Sequence, residues 1–403
     1  MSALDIDITN AHLLAQAEDI WDGLWNRLYL PKTKLIYDFV TSTEADHRFD
    51  ATPTPEEVAR QYPNPCGCGT GMEDSVINGG AMLSVLCDRY AVTNDLSLRE
   101  KARDLVGGLY DCTMAHGTPG FVARSICPAD GKSVYKNSSR DQYTHLVHGF
   151  WRLWHSPLAD EGMKARIAEA LVAVARFTER SVTPENNYCL LMLDGQPAPQ
   201  VCQMWAAKRE DICPHEAARL PMIYAAAYDV TGDVHFQQEC EKYLKEALEL
   251  SCALWPWPYL AYALFQMACS LELLRMVFPD GAAAALCRRA LNDAAERVQY
   301  SAMKSAGEYL TDHEEPEYLP DWRTLELRDN YGYLVPHFTW KQTSREAGEA
   351  ALVQMMAPDF AFSPLQQTLF RRALGDHSFK RYGEYGPLYL MAAYWRMRRL
   401  DLL

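Results

Sequence analysis

The sequence lacks the features of membrane proteins and nucleic-acid-binding proteins. No stretch approaches the roughly 18 uninterrupted apolar residues that a membrane-spanning helix needs. No lysine- or arginine-rich run occurs, and the net charge of −14 opposes binding to nucleic acids and anionic membranes, because both need a basic footprint. The polar, acidic segment 1–10 shows no signal-peptide pattern. We therefore expect a cytoplasmic protein without nucleic-acid or membrane partners.

Several catalytic and metal-binding motifs are also missing. The chain has no GxGxxG after a strand, no GxxxxGK[ST], no GxSxG and no HExxH, which disfavours nucleotide cofactors, serine hydrolases and zincin-type proteases. Its twelve cysteines are scattered and form no paired CxxC motifs, so they are typical of reduced, buried thiols. We expect neither a cofactor nor a bound metal.

Two stretches of the chain are nearly the same, Tyr90-Ala-Val-Thr-Asn-Asp95 and Tyr228-Asp-Val-Thr-Gly-Asp233. Each ends one apolar-periodic segment and begins another, with Asn or Gly as the left-handed stop and Asp as the next cap. The 138 residues between them would hold about three helical hairpins of some 45 residues each. A helix, a tight turn and a second helix are therefore a repeated unit.

Helical periodicity recurs along the whole chain. Some predicted helices are apolar on most faces, as buried helices are, and others carry a charged stripe that faces solvent. Such alternation is what an inner ring wrapped by an outer ring requires. No Ser/Gly-rich linker divides the chain, so we predict one domain over residues 1–403. The twelve predicted helices are 11–28, 73–92, 96–116, 138–155, 160–180, 213–231, 234–253, 257–278, 280–305, 344–357, 363–375 and 384–400.

Long irregular stretches interrupt these helices, and loops of such length are usually functional or disordered. Three runs within them are β-like, 121–124, 133–135 and 189–192, and turn dipeptides flank them. Tryptophans and tyrosines in the loops argue against disorder. We therefore expect short β-hairpins at one mouth of the helical body.

This pattern resembles the six-hairpin (α/α)6 glycosidase-like toroids, which include the unsaturated glucuronyl hydrolases. The resemblance covers most of the chain and is architectural, and polysaccharide lyases and sugar epimerases share the same toroid. It implies an all-α (α/α)6 toroid of about twelve helices with an active site at the ends of the inner helices. It also implies an oligosaccharide substrate, whereas the oligomeric state stays open.

Polar residues cluster where four of the buried-type helices begin, in segments 71–79, 137–145, 208–216 and 380–387. In the second cluster, Asp141, His145 and His148 share one helix face. A carboxyl at such a buried start could act as a general acid with a raised pKa. Alternatively, Ser138-x-x-Asp141 fits a capping box, in which Asp141 only satisfies backbone N–H groups. The sequence leaves both interpretations open.

The candidate catalytic residues are the acidic side chains of these clusters, Asp141, Asp211 and Asp74. Asp211 could equally be an N-cap before Pro214, and Asp74 could simply favour the helix dipole. Aromatic rings add the stacking faces that sugars need, because pyranose rings present an apolar C–H face. The candidate substrate-binding residues are Arg140, Asn137, Tyr143, His145, His215, Glu73, Glu384, Trp205, Trp257, Trp322 and Tyr331.

Three functions fit these residues. The leading hypothesis is a glycoside hydrolase that acts on a neutral or uronate-containing oligosaccharide. Asp141 would be the acid, and Asp211 or Asp74 would activate water or stabilise positive charge. The second is a polysaccharide lyase, in which Tyr143 or a histidine removes the proton beside a carboxylate that Arg140 or Asn137 neutralises. The third is a non-catalytic toroid that binds a glycan or a protein.

Overall fold

In the computed structural model, nearly all of the regular secondary structure is helical. The structure describes residues 8–42, 44–198, 202–308, 321–324, 339–377 and 384–403. The helices are α1 Asn10–Gly23, α2 Pro55–Ala59, α3 Ser75–Thr93, α4 Leu98–Met114, α5 Arg140–Trp154, α6 Glu161–Ser181, α7 Arg219–Thr231, α8 Val234–Ser251, α9 Ala261–Val277, α10 Gly281–Glu308, α11 Thr339–Met356, α12 Pro364–Gly375 and α13 Leu388–Arg399. The strands are β1 Tyr29–Leu30 and β2 Leu35–Ile36, paired antiparallel.

Six helices form a closed inner ring. Each of α3, α5, α7, α9 and α11 packs against the next of these helices in the chain, and α13 packs against both α11 and α3. Because the last member meets the first, the ring has no open edge. The all-α (α/α)6 toroid that the sequence predicts is confirmed.

The remaining long helices form the outer layer. Helix α4 packs on α6, α8 packs on α10, and α12 packs on both α10 and α1. Thirteen of the nineteen residues of the inner helix α3 are buried, whereas only six of the eighteen residues of the outer helix α8 are buried. The helices that are apolar on most faces therefore form the inner layer, and the helices with a charged stripe form the outer layer.

The two similar turns join inner helices to outer ones, as the repeat predicts. Asn94 (φ 54°) ends α3 and Gly232 (φ 70°) ends α7, both in the left-handed conformation. Their N–H groups donate to the Tyr90 and Tyr228 carbonyls at 2.8 and 2.7 Å. The expected content of three hairpins between the turns is wrong, because α3 and α7 are only two hairpins apart.

Glycines let the inner helices α3 and α5 touch backbone to backbone. A Cβ at Gly80 would lie 2.1 Å from the His145 carbonyl oxygen, and one at Gly149 would lie 2.4 Å from the Gly80 carbonyl oxygen. No side chain fits at these distances, so the close approach requires glycine on both helices. This contact fixes the start of α5 beside the start of α3.

Most helix ends agree with the sequence prediction to within a few residues, and α7 shows why one does not. It begins at Arg219, six residues after the predicted start. Proline lacks an N–H and is tolerated only in the first turn of a helix. The helix therefore begins where Pro221 falls in that turn, and residues 213–218 form turns instead.

The predicted β-like runs are only partly realised. Segments 121–124 and 133–135 contain no strand, so their prediction is wrong, and segment 189–192 forms only isolated bridges at Cys189 and Leu191. The two-stranded hairpin of the described residues is instead β1–β2, which follows α1 after a five-residue π-helix, Leu24–Leu28. Within the described part of the chain, no helix is both long and apolar enough to cross a membrane.

Candidate active site

Side chains from the starts of three inner helices meet at one end of the toroid. Asp141, in the first turn of α5, accepts a hydrogen bond from Arg219 Nη1 at 2.5 Å. Arg219 is the first residue of α7, and its Nη2 donates to Gln266 Oε1 of α9 at 2.6 Å. The helices α5, α7 and α9 therefore present their N-terminal ends to the same place.

The other three inner helices, α3, α11 and α13, contribute side chains at the same end of the toroid. Tyr385, just before α13, donates its hydroxyl to Asp74 Oδ2 at the start of α3 (3.0 Å). Arg345 of α11 donates from Nη1 to the Tyr385 hydroxyl at 2.7 Å, and its guanidinium carbon lies 5.6 Å from the Tyr262 ring centre on α9. Gln142 Nε2 links Asp74 back to α5 at 3.0 Å. We call Asp74, Asp141, Gln142, Arg219, Tyr262, Gln266, Arg345 and Tyr385 the N-terminal ring.

Asp141 is held as a carboxylate. Its side chain is 32% exposed, whereas Arg219 is 2% exposed. Burial opposes ionisation of this carboxyl, but the charge and hydrogen bond of Arg219, together with the charge of Arg140, outweigh burial and lower the pKa to about 2. A carboxyl that stays ionised at neutral pH cannot protonate a leaving group, although it can stabilise positive charge or activate water. Neither oxygen of the Asp141 carboxylate caps α5. The N-cap residue of this helix is Ser139, and its side chain makes no capping hydrogen bond.

Glu349, further along α11, has the opposite character. Burial raises the pKa of this carboxyl to about 7, although Arg345 Nε donates to its Oε1 at 2.8 Å. The negative charge of Asp141 is among the neighbours that raise this pKa further. Two carboxyls whose environments drive their pKa values apart are the usual arrangement of an acid and its partner in acid–base catalysis.

Two histidines flank the Asp141–Arg219 pair. His145 lies one turn after Asp141 on α5, is buried, and packs against the Phe265 ring at 5.6 Å. His215 precedes α7, and its Nε2 lies 3.6 Å from Glu216 Oε1. Burial lowers the pKa of both imidazoles to about 3. Both rings are therefore neutral at physiological pH.

Several buried polar atoms of this region have no hydrogen-bond partner among the described residues. Buried polar groups are nearly always hydrogen-bonded in proteins, so unsatisfied ones mark places where a ligand or ordered water completes the structure. Both donors and acceptors are present, as a sugar with many hydroxyls requires. These atoms are Gln142 Oε1, Gln266 Nε2, Glu349 Oε2 and the Tyr389 hydroxyl.

The structure brings together most of the acidic and basic residues that the sequence proposes. Arg140 pairs with Glu216 at 2.6 Å and also donates to the Gln203 carbonyl. Arg124 lies within 3.4 Å of both Glu73 and Asp74. The sequence-derived candidates in or beside the N-terminal ring are Asp74, Asp141, Arg140, His145, His215 and Glu73.

Three other proposed residues lie elsewhere. Asp211 is exposed in a 3-10 turn, and in the described part of the chain it forms neither a hydrogen bond nor an ion pair with the groups around Asp141. The Tyr143 hydroxyl accepts from Val122 N at 3.1 Å, and its ring stacks on an outer-layer phenylalanine, Phe177. Asn137 Nδ2 donates to Cys66 Sγ. These contacts explain Tyr143 and Asn137 as parts of the protein interior.

The proposed aromatic residues fall into different environments. Trp205 is buried edge-on against Tyr243 of α8, and Trp322 is buried with its Nε1 donating to the Ala51 carbonyl at 2.6 Å. Trp257 is 50% exposed. Glu384 is buried, and its backbone pairs with Phe39. Tyr331 lies outside the described residues.

Trp257 belongs to an aromatic strip that leads to the N-terminal ring. Its ring centre lies 4.4 Å from that of Trp255 and 6.2 Å from that of Tyr259. Tyr259 in turn lies 5.0 Å from the imidazole of His215. An exposed tryptophan at the outer end of such a strip is suited to stacking on a sugar ring.

Sequence reasoning missed Arg219, Gln266, Arg345 and Glu349. One signal was available, because Arg345 and Glu349 stand four residues apart in an alanine-rich segment. Charged side chains within an otherwise apolar helix are rarely buried without a partner. No comparable pattern marks Gln266, whose role depends on Arg219 from another helix.

One group near the ring has the residue types of a metal site. The ligand atoms of Cys213, His215 and Glu216 all lie within 4.8 Å of one another. Arg140 and Arg219, however, lie 2.6 and 4.0 Å from Glu216 Oε1. Two guanidinium groups beside the only carboxylate of the set oppose a divalent cation there. A second set, Glu179, His235 and Glu239, lies on the outer helices α6 and α8.

The closed inner ring, the outer layer and the polar N-terminal ends define the class of this fold, the (α/α)6 toroid. Comparison with known proteins agrees at the level of fold. A D-mannose isomerase is similar with a TM-score of 0.51 and 10% identity, covering 98% of this chain and 99% of that chain. A sugar epimerase from a ruminal bacterium is similar with a TM-score of 0.52 and 10% identity, covering 95% and 98%.

An inactive variant of an alpha-1,6-mannanase of Salegentibacter sp. HEL1_6, in complex with alpha-1,6-mannotriose, has a TM-score of 0.46 and 13% identity, covering 96% of this chain and 99% of that chain. No family model matches the sequence, and no curated protein matches it. The closed inner ring, with the similarity to the isomerase and the epimerase, confirms at the level of fold the resemblance to six-hairpin toroids that the sequence suggests.

Proposed function

We propose that this protein is a carbohydrate-active enzyme, and specifically a glycoside hydrolase that cleaves an oligosaccharide. The observation that carries the proposal is a pair of electrostatically interacting carboxyls, the buried Glu349 with a pKa of about 7 and the partly exposed Asp141 with a pKa of about 2. Glycoside hydrolysis needs one carboxylic acid that protonates the leaving oxygen and one carboxylate on the other side of the sugar.

Each carboxyl has a distinct role in this proposal. Glu349 protonates the glycosidic oxygen, because burial keeps it protonated near neutral pH. Asp141 activates water or stabilises the oxocarbenium-like transition state, because Arg219 keeps it ionised. This assignment moves the acid role from Asp141, where the sequence placed it, to Glu349. Arg345, bonded to Glu349, holds the acid in position.

The surroundings of the two carboxyls suit a sugar. The unsatisfied polar atoms of Gln142, Gln266 and Tyr389 offer both donors and acceptors for hydroxyls. The exposed ring of Trp257 begins an aromatic strip that leads toward His215. The shared fold adds a weaker support, since the isomerase and the epimerase that resemble this chain act on sugars according to their names.

A second candidate is proton transfer at a sugar carbon, as in an isomerase, an epimerase or a lyase. The observation that favours it is the neutral state of His145 and His215 beside the guanidinium of Arg219. A neutral imidazole can accept a proton, and an arginine can stabilise the resulting oxyanion. The hydroxyl of Tyr143, the base that the sequence suggests for a lyase, instead accepts a hydrogen bond from the Val122 N–H.

One screen separates these reactions. The purified protein is incubated with uronate-rich and neutral oligosaccharides and with free aldoses, and three products are measured together. New reducing ends show hydrolysis, ultraviolet absorbance of an unsaturated uronate shows a lyase, and an altered aldose in chromatography shows isomerisation or epimerisation. The proposal predicts new reducing ends alone. Binding without turnover of any sugar would favour the non-catalytic toroid.

A further inference from the structure

The end of the toroid opposite the N-terminal ring contains a separate cavity. Its volume is about 430 Å³, within the range of small-molecule sites. The C-terminal ends of five inner helices, α3, α5, α9, α11 and α13, supply its wall. Met276 and Leu400, at its edge, are 55% and 40% exposed, so the cavity opens to solvent. None of the residues proposed for catalysis lines it.

Four arginines line this cavity, Arg152, Arg275, Arg396 and Arg399. Arg152 and Arg399 share one carboxylate, since both bind Asp88 Oδ1, at 2.7 and 2.5 Å. Two arginines on one carboxylate leave a positive charge that Asp88 does not balance. Burial opposes ionisation of Asp88, but the charge and hydrogen bonds of Arg152, together with the charges of Arg396 and Arg399, outweigh burial and lower its pKa. Asp88 therefore supplies one negative charge.

The positive charges of the other two arginines, Arg396 and Arg275, are not fully neutralised by carboxylates either. Arg396 Nη2 bonds to Glu272 Oε1, and the other oxygen of Glu272 accepts from His148 at 2.9 Å. Arg275 forms no ion pair with a carboxylate in the described ranges. The four guanidinium groups therefore face two carboxylates. Asp229, beside this wall, is bound to Trp151 Nε1 and His155.

The position of these arginines at the C-terminal ends of helices explains only part of the positive charge in the cavity. The last turns of helices attract cations, which accounts for exposed arginines such as Arg399. Arg152 and Arg396 are different, because their side chains are 8% and 4% exposed. Burying a cation is costly unless an anion pairs with it. Two nitrogens of Arg396, Nε and Nη1, are buried without a hydrogen-bond partner among the residues described.

We infer that this cavity binds a small phosphomonoester. A phosphomonoester carries nearly two negative charges, which matches the excess of guanidinium groups over carboxylates. Its oxygens accept the forked hydrogen bonds that arginine donates. The apolar side chains of Met276 and Leu400 then lie beside the body of the ligand at the cavity edge. The site is independent of the proposed hydrolysis, which takes place at the other end of the toroid.

Isothermal titration calorimetry at low ionic strength tests this inference, with glucose 6-phosphate as the probe and glucose and succinate as comparisons. The expected result is binding of glucose 6-phosphate, no detectable binding of glucose, and weaker binding of succinate. Arg275→Gln should weaken the binding of glucose 6-phosphate by at least about tenfold. It should leave the fold intact, because Arg275 has no carboxylate partner in the described chain.

Arg289→Gln is the matched control, since Arg289 is exposed on α10 and does not line the cavity. It should bind glucose 6-phosphate as the unmodified protein does. Failure of glucose 6-phosphate to bind, equal binding of glucose, tighter binding of succinate, or equal weakening by Arg275→Gln and Arg289→Gln would each overturn the inference. If Arg275→Gln bound glucose 6-phosphate as tightly as the unmodified protein does, the phosphate would be bound at another site.

Discussion

Arg219 and Asp141 form an ion pair whose two members differ in exposure. The guanidinium is 2% exposed, whereas the carboxylate is 32% exposed. Arg219 also donates to Gln266, so it is held from two sides. The buried cation fixes the ionised state of a carboxylate that still reaches solvent. Asp141 is therefore both a structural partner and a group that a ligand can contact.

Asp141→Asn should lower the free energy of unfolding by about 1–3 kcal/mol, the cost of leaving a buried polar or charged group incompletely paired. The amide keeps an acceptor for Arg219 but removes its counter-charge. Asp211→Asn makes the same chemical change at an exposed turn, and should alter stability by less than about 0.5 kcal/mol. Urea unfolding at pH 7 measures both, and equal effects would show that Arg219 does not depend on the Asp141 charge.

Glu349→Gln should change how stability depends on pH. Burial raises the pKa of Glu349 from 4.5 to about 7, so between these values the folded protein holds a proton that the unfolded chain has released. Stability from this group is therefore present at acidic pH and falls as the pH rises through the window, by about 3 kcal/mol. The variant cannot ionise at this position and should lose less stability.

Urea unfolding at pH 5 and pH 8 checks this expectation, with the unmodified protein and Asp211→Asn as references. Both references should lose more stability than Glu349→Gln over this interval. A fall of the same size in all three proteins would mean that the Glu349 carboxyl titrates in its ordinary range.

Gly80→Ala should destabilise the protein by at least about 2 kcal/mol, as overpacking does in closely packed interiors. The added Cβ would lie 2.1 Å from the His145 carbonyl oxygen on α5. Gly107→Ala, on the outer helix α4, meets only the flexible side chain of Lys34, at 3.2 Å. The gain in helix propensity should offset that contact. Thermal unfolding of the two variants should separate them clearly, and similar midpoints would show that α3 and α5 can move apart.

Trp257→Ala should raise KM for the cleaved oligosaccharide with little change in kcat. Removing an exposed stacking ring weakens substrate binding without touching the carboxyls, and such a loss costs about 0.5–1.5 kcal/mol, a few-fold to roughly tenfold in KM. Val234→Ala alters another exposed apolar side chain, on α8, and should leave both constants unchanged. A fall in kcat alone would place Trp257 at the reacting centre.

The fold could be predicted from the sequence because the signals that specify its helices and turns lie in short, local stretches of the chain. Apolar periodicity located the twelve long helices, and Asn94 and Gly232 end α3 and α7 as the left-handed stops suggested. Periodicity alone places the start of α7 too early, because the apolar pattern continues through residues that Pro221 keeps out of the helix. The β-like run 121–124 contains no strand, since the Ala123 N–H donates to the Cys112 carbonyl at the end of α4 instead.

The site was less predictable because its contacts join distant parts of the chain. Asp141 and Arg219 are 78 residues apart, and Asp74 and Tyr385 are 311 apart. The sequence marked Asp74 and Asp141 as candidates through their positions at helix starts. It could not show that Arg219 lies beside Asp141, and so the ionised state of Asp141 became clear only from the structure. The spacing of Arg345 and Glu349 marks a charged pair on one helix, but the raised pKa of Glu349 comes from burial by other helices, which this spacing does not show.

The dependence of kcat/KM on pH, for the oligosaccharide that the screen identifies, tests the central claim most directly. If Glu349 is the acid, kcat/KM of the unmodified protein should fall above about pH 7, following the raised pKa of that carboxyl. Glu349→Gln should then lower kcat/KM at least about a hundredfold, as the loss of a general acid does, and abolish this fall. Asp211→Asn should keep the unmodified profile. Full activity of Glu349→Gln, with its alkaline fall unchanged, would contradict the account.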